Sequence, residues 1–211
     1  MASEVDICNI ALSHIRAGRI NSLQDVTIEA QECELKYALM RDLMLESFNW
    51  PFAHKIKPLS LSETPVFNWS QTYQYPADCL KINRLVARYE EVASNSTMSP
   101  DKVVAHDLRG QIPYEVFSFK TRLICTNLTE ARIDYRQRIT DPEVFPPAFA
   151  MALSYLLAAE LAVPVVGAEL GRALRKDSLD LYISYLNSAT ADALNEQYFS
   201  PVESEFVKIR S

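Results

Sequence analysis

Apolar residues recur at helical spacing in four stretches of this chain and alternate at strand spacing in the region between the second and third. Val5, Cys8, Leu12 and Ile15 lie three to four positions apart, with Ser3 and Asp6 placed to cap the start and Gly18 to end the last turn, which predicts a first helix. Thr27 is placed to cap a second, whose Ala30, Cys33, Tyr37, Met40 and Met44 form one stripe opposed by Glu32, Glu34, Lys36 and Arg41. That helix is expected to stop near Trp50, because Pro51 disfavours a helical residue before it and has no N–H to donate.

From Lys55 to Ile139 the period shortens, and prolines and aromatics break the pattern into short antiparallel strand candidates. Ala131, Ile133 and Tyr135 alternate with Arg132, Asp134 and Arg136, which predicts a strand with one wet face. Tyr73 and Tyr75, the run from Leu80 to Val86 and the run from Val116 to Cys125 read as further strands, and residues 90–112 as loop. Helical spacing returns at Phe149, Leu153, Leu156 and Leu157, in a segment apolar on nearly every side and therefore expected to be the buried central helix. A last helix is expected from about Gly167 to Tyr198, with Leu170, Leu174, Leu181, Tyr185 and Leu194 inward and Arg172, Lys176, Asp180 and Asp192 outward.

The predicted architecture is α+β and mainly α: a four-helix bundle from residues 1–54 and 140–198, a small antiparallel β lobe inserted as residues 55–139, and an extended C-terminal tail, residues 199–211. The tail holds Phe199, Val202, Phe206, Val207 and Ile209. Extended at about 3.3 Å per residue it would span ~40 Å, enough to lay those side chains in a groove of a neighbouring subunit or another protein. The alternative is a frayed end.

Composition narrows the functional classes. An apolar fraction of 48% with 23% charged residues excludes global disorder. A net charge of −6 lacks the basic footprint that neutralises phosphates, which speaks against a nucleic-acid regulator. Glu4 and Asp6 precede any basic residue, so the N-terminus does not read as a signal peptide and a cytoplasmic start is expected. The stretch 144–159 reads as too short to span a membrane before Glu160. Cys8, Cys33, Cys79 and Cys125 are far apart without a C-x-x-C, which fits buried reduced thiols better than zinc or disulfides.

Catalytic chemistry is sparse. His14, His54 and His106 have no metal-ligand partner at helical spacing, and His14 reads as a helix C-terminal histidine that complements the dipole. There is no nucleophile elbow, P-loop or dinucleotide fingerprint, and four glycines leave little of the close backbone approach that phosphate cradles use. Asp101, His106 and Asp107 with Glu90 or Glu91 resemble an acid–base cluster, for which a polar loop is the simpler account. Phe67, Trp69, Tyr73 and Tyr75 near Lys81, Arg84 and Arg88 resemble a single-strand stacking platform, for which sheet core with snorkelling cations is simpler. No catalytic, cofactor-binding or metal-binding residue is assigned.

The order and spacing of several short motifs carry a resemblance. Ile7-Cys8-Asn9-Ile10-Ala11-Leu12-Ser13 leads to Ile20-Asn21-Ser22-Leu23-Gln24-Asp25, then Glu29-Ala30, Cys33, Tyr37, Arg41-Asp42, Leu45 and Asn49-Trp50-Pro51-Phe52-Ala53. Tyr75-Pro76-Ala77-Asp78-Cys79-Leu80-Lys81 follows, then Ile133-Asp134-Tyr135, Thr140-Asp141 and Phe145-Pro146-Pro147-Ala148-Phe149. This pattern resembles the tail tubular protein A family, the head-to-tail adaptors of T7-like short-tailed phages, over nearly the whole chain. The resemblance implies a structural virion protein without enzymatic activity or cofactor. It implies a ring of about twelve copies between the portal protein and the tail nozzle protein, with double-stranded DNA passing transiently through the lumen and no membrane contact. The expected location is the virion tail, after assembly in the host cytoplasm.

On that reading the five apolar tail residues would contact the portal or a neighbouring subunit, and outward-facing Arg172, Lys176 and Asp180 are candidates for lateral subunit contacts. Twelve copies at −6 each would sum to a formal charge of about −72, so complementary or apolar subunit faces would have to offset the repulsion. An acidic lumen would also let DNA slide rather than stick. The alternatives from other classes are a tail-associated peptidoglycan hydrolase, using a carboxylic acid of the β lobe, and a small helical DNA-binding regulator.

Overall fold

A computed structural model describes residues 3–62, 66, 68–87, 112–118 and 121–196. Helix α1 (Glu4–His14) starts where expected: the Ser3 hydroxyl accepts from the Asp6 N–H at 3.1 Å and the Asp6 carboxylate accepts from the Ser3 N–H at 2.9 Å. These reciprocal bonds satisfy donors that a helix start leaves orphaned, and they hold the Asp6 carboxyl below its ordinary range. The link to the next helix is closed by one amide side chain. Asn9 donates to the Ile20 carbonyl at 3.0 Å and accepts from the Ile20 N–H at 2.9 Å, while Asp25 accepts from Asn21 N–H and Ser22 N–H.

Helix α2 (Ile28–Ser47) is capped by Thr27, whose hydroxyl accepts from the Ala30 N–H at 3.3 Å. It ends before a 3-10 turn, Pro51–Ala53, and there Trp50 is buried with its indole N–H donated to the Met44 carbonyl at 2.8 Å. Among the described residues six strands follow: β1 (His54–Pro58), β2 (Gln71–Gln74), β3 (Cys79–Val86), β4 (Tyr114–Ser118), β5 (Arg122–Thr126) and β6 (Arg132–Gln137). A second 3-10 turn, Pro142–Val144, leads to α3 (Pro147–Val166) and α4 (Ala168–Asn195).

The chain divides into two units, one made of Met1–Tyr37 with Phe145–Ser211 and the other of Ala38–Val144. The first boundary falls inside α2. In the second unit the strands form two antiparallel three-stranded sheets, ordered β1-β6-β3 and β2-β5-β4. Tyr73 and Ile124 from the second sheet share one core with Cys79, Leu85, Ile133 and Tyr135 from the first, and with Ala131. The predicted strand from Val116 to Cys125 is in fact parts of two strands, β4 and β5, paired antiparallel.

In the first unit α3 is the central element, as its composition requires: Phe149, Leu153, Leu157, Leu161 and Ala162 are all buried. It runs on past Glu160, which pairs with Arg175 at 2.8 Å, and through Pro164, so it is longer than the sequence reading allowed. By length and composition alone such a helix could cross a membrane, yet 56% of its most apolar stretch is buried inside the protein, as in a core helix. Gly167 joins it to α4 with φ at +96°, a conformation that side-chain-bearing residues rarely adopt. Gly171 then lets the helices close, since a Cβ there would lie 2.6 Å from the Ala162 carbonyl oxygen.

The expected four-helix bundle does not form. α4 is packed along α3, and α1 is a short helix against the same α3. α2 is split, with Ala30, Cys33 and Tyr37 buried in the first unit while Met44 and Leu45 are buried in the second. The β region is likewise more than a small lobe, because its two sheets build a core of their own. The fold is α+β with helical and sheet units. The physical reason is that a bundle needs four wide apolar stripes converging on one axis, and the α2 stripe is divided between two units.

The predicted inward face of α4 also needs correction. Its buried residues are Gly171, Ser178, Ala189 and Ala193, whereas Leu170, Leu181 and Leu194 are exposed. Small side chains let α4 lie close against α3, as at Gly171, where a Cβ would fall 2.6 Å from the Ala162 carbonyl oxygen. Arg41, expected outward, is buried and bonded to Asp42 at 2.8 Å.

Candidate functional site

Helix α2 has a second apolar line that its sequence pattern obscures. Ile28, Leu35, Leu39 and Leu43 are 63%, 71%, 64% and 53% exposed, far more than large aliphatic side chains usually are on a helix of twenty residues. At 100° per residue these positions fall within one face, opposite the buried Ala30, Cys33, Tyr37 and Met44. A row of large apolar side chains at helical spacing is the mark of an interaction surface rather than of scattered exposure. The face ends in a charge: Glu46 lies in line with Ile28, is exposed, and is anchored through its carbonyl by the Arg136 guanidinium.

Helix α4 carries the other surface. Arg172, Lys176 and Asp180, the predicted lateral contacts, are all exposed and follow one another at four-residue spacing, so they share a face. Ile183 (52% exposed) and Leu194 continue the line of Lys176. The predicted tail contacts Phe199, Val202, Phe206, Val207 and Ile209 lie outside the described residues, as do Glu90, Glu91, Asp101, His106 and Asp107 of the acid–base cluster and Phe67 and Arg88 of the stacking platform.

The rest of that platform is not assembled. Tyr73 is core, with its hydroxyl donated to the Leu128 carbonyl at 2.8 Å, and the Trp69 indole N–H reaches Glu115 at 3.1 Å. Arg84 turns to Asp134, and Tyr75 lies instead under the Arg122 guanidinium, 4.1 Å from its ring centre.

Two carboxylates that the sequence reading did not single out organise the sheet unit. Asp134, placed by alternation on a wet face, is buried: it accepts from His54 Nε2 at 2.7 Å, Asn83 Nδ2 at 3.0 Å and Arg84 Nε at 3.1 Å. Neighbouring strands β1 and β3 supply those donors, which no pattern within β6 reveals. Asp78 accepts from Tyr135 at 2.9 Å, Lys57 at 3.2 Å and Lys55 at 3.3 Å. Burial alone would raise the Asp78 carboxyl, but these bonds outweigh it and hold the carboxyl below its ordinary value. Both oxygens of each carboxylate are engaged, so both act as cross-braces between strands.

A cleft of about 540 Å³ in the same unit is lined by Gln74, Tyr75, Cys79, Thr121, Arg122 and Arg138, among others. Burial pushes the Cys79 thiol up, Arg138 is tied to Asp42 at 2.7 Å, and no histidine or carboxylate among the described lining residues stands ready to activate a nucleophile. The four cysteines are free and buried; Cys8 is pushed far up by its hydrogen bond with Cys33 and by burial. His14 stacks on Tyr155 with ring centres 3.9 Å apart, and burial lowers its pKa. That environment opposes the charge on which complementing the helix dipole would depend.

The chain matches no protein-family model and no curated protein.

Proposed function

We propose that this protein is a structural ring subunit of a phage tail, an adaptor joining the portal to the tail nozzle and leaving a path for DNA. The observation that carries the reading is the exposed apolar face of α2, Ile28, Leu35, Leu39 and Leu43, a surface suited to another protein rather than to a small molecule. The resemblance to the adaptor family supports it. So does the way the resembling motifs behave: Asn9, Asp25, Trp50, Asp78 and Asp134 brace the fold from within, which suits a part that bears load and does no chemistry.

Native mass spectrometry of the full chain, alone and with the portal protein of the same virion, tests the proposal. A closed homo-oligomer of about twelve copies, alone or on the portal, is expected. A strict monomer in both conditions would overturn it.

A further inference from the structure

Resting on the ring reading, we infer that the exposed face of α2 in one copy docks antiparallel on the exposed face of α4 in the next copy, in a defined register. The argument begins with spacing. Along α2 the face reads Ile28, Leu35, Leu39, Glu46, so that counting back from Glu46 the positions stand seven, eleven and eighteen residues away. Along α4, counting forward from Lys176, Ile183, Asn187 and Leu194 stand seven, eleven and eighteen residues away. Eighteen residues is five whole helical turns, about 27 Å, so the end positions of each row point the same way and the middle ones deviate by only ~20°.

Antiparallel docking therefore places Glu46 against Lys176, Leu39 against Ile183, Leu35 against Asn187 and Ile28 against Leu194. Leu43, three residues before Glu46, meets half-buried Leu179, three residues after Lys176. Charge selects this direction. The acid stands at the C-terminal end of the α2 row, and the bases Arg172 and Lys176 at the N-terminal end of the α4 row, so a parallel arrangement would set Glu46 opposite Leu194 and leave Lys176 against Ile28. Antiparallel helix dipoles act in the same sense. Because the two faces differ, the contact is heterologous: each copy offers α2 to one neighbour and α4 to the other, which generates a ring when the rotation closes.

The test uses full-length chains carrying one exposed substitution each, Leu39→Asp to block α2 and Ile183→Asp to block α4, with folding checked by circular dichroism. Wild type is expected to assemble beyond a dimer, each variant alone to lose assembly and run as a monomer, and an equimolar mixture to give a one-to-one heterodimer and nothing larger. A charge exchange sets the register: Glu46→Lys weakens wild-type assembly, and Lys176→Glu in the same chain restores it.

A mixture that stays as two monomers overturns the inference and means that something else, residues 199–211 among the candidates, covers α2. An Ile183→Asp chain that dimerises by itself overturns it in favour of a symmetric α2 contact. Variants that assemble like wild type overturn the interface while leaving the ring reading in place. A wild-type chain that is monomeric alone and with the portal overturns both.

Discussion

Replacing Gly171 by alanine tests the closest approach in the helical unit. A methyl group there would lie 2.6 Å from the Ala162 carbonyl oxygen and 2.8 Å from the Val163 Cα, both backbone atoms of α3 that no rotamer change can move aside. Alanine is the better helix former by about 1 kcal/mol, so intrinsic preference favours the substitution. Overpacking a tight contact costs about 1–3 kcal/mol, and here α3 and α4 must separate along their shared face. Because the clash is with backbone, the steric effect offsets or exceeds that gain, and the expected net loss is up to about 2 kcal/mol, a drop in Tm of up to roughly 8 °C for a chain of this size.

Two other glycines serve as internal references. At Gly18 the added methyl would meet only the end of the flexible Glu29 side chain, at 3.7 Å, so Gly18→Ala is expected to be neutral or stabilising by up to ~1 kcal/mol. At Gly167 no atom lies within 4 Å but φ is +96°, so Gly167→Ala isolates the torsional cost, about 1–3 kcal/mol. Thermal unfolding followed by far-UV circular dichroism ranks the three. A Gly171→Ala protein as stable as Gly18→Ala would refute the close approach of the two helices.

Two further outcomes are expected. Burial lowers the pKa of His14 below its ordinary 6.5, so as pH falls through 6.5 the unfolded chain takes up a proton that the folded chain resists. The stability this histidine contributes is present above that pH and is lost toward the lower folded value; His14→Phe, which keeps a ring on Tyr155, should flatten that part of a denaturant-stability profile, and an unchanged slope would dismiss the effect. Asp134→Ala leaves His54, Asn83 and Arg84 without their shared acceptor. Breaking a fully buried pair costs about 3–5 kcal/mol, and since His54 and Arg84 reach solvent the expected loss is about 2–3 kcal/mol, read by tryptophan fluorescence because Trp50 and Trp69 lie in the same unit; a change under ~0.5 kcal/mol would show the network to be idle.

The proposed contact surface was only half legible. Arg172, Lys176 and Asp180 could be placed outward from their charges, and they are exposed together on α4. The α2 face escaped notice because that helix has apolar residues on two sides, and Ala30, Cys33, Tyr37 and Met44 alone make a sufficient stripe. The signal that could have revealed it was the spacing of Ile28, Leu35, Leu39 and Leu43, a second set at the same period.

Local features were settled by neighbours in the chain. The Ser3–Asp6 and Thr27 caps, the stop before Pro51 and the all-round apolar α3 each depend on residues within a few positions of one another, and backbone geometry translates such spacings directly into structure. Which face of a helix or strand is buried is another matter, because it is decided by the surface that comes to meet it. α4 turns its small residues inward because α3 approaches closely, Asp134 is enclosed because β1 and β3 bring His54, Asn83 and Arg84 to it, and the α2 stripe is divided between two units. Those partners lie tens of residues away along the chain, so only the tertiary structure could select among faces that hydrophobic spacing alone left nearly equivalent.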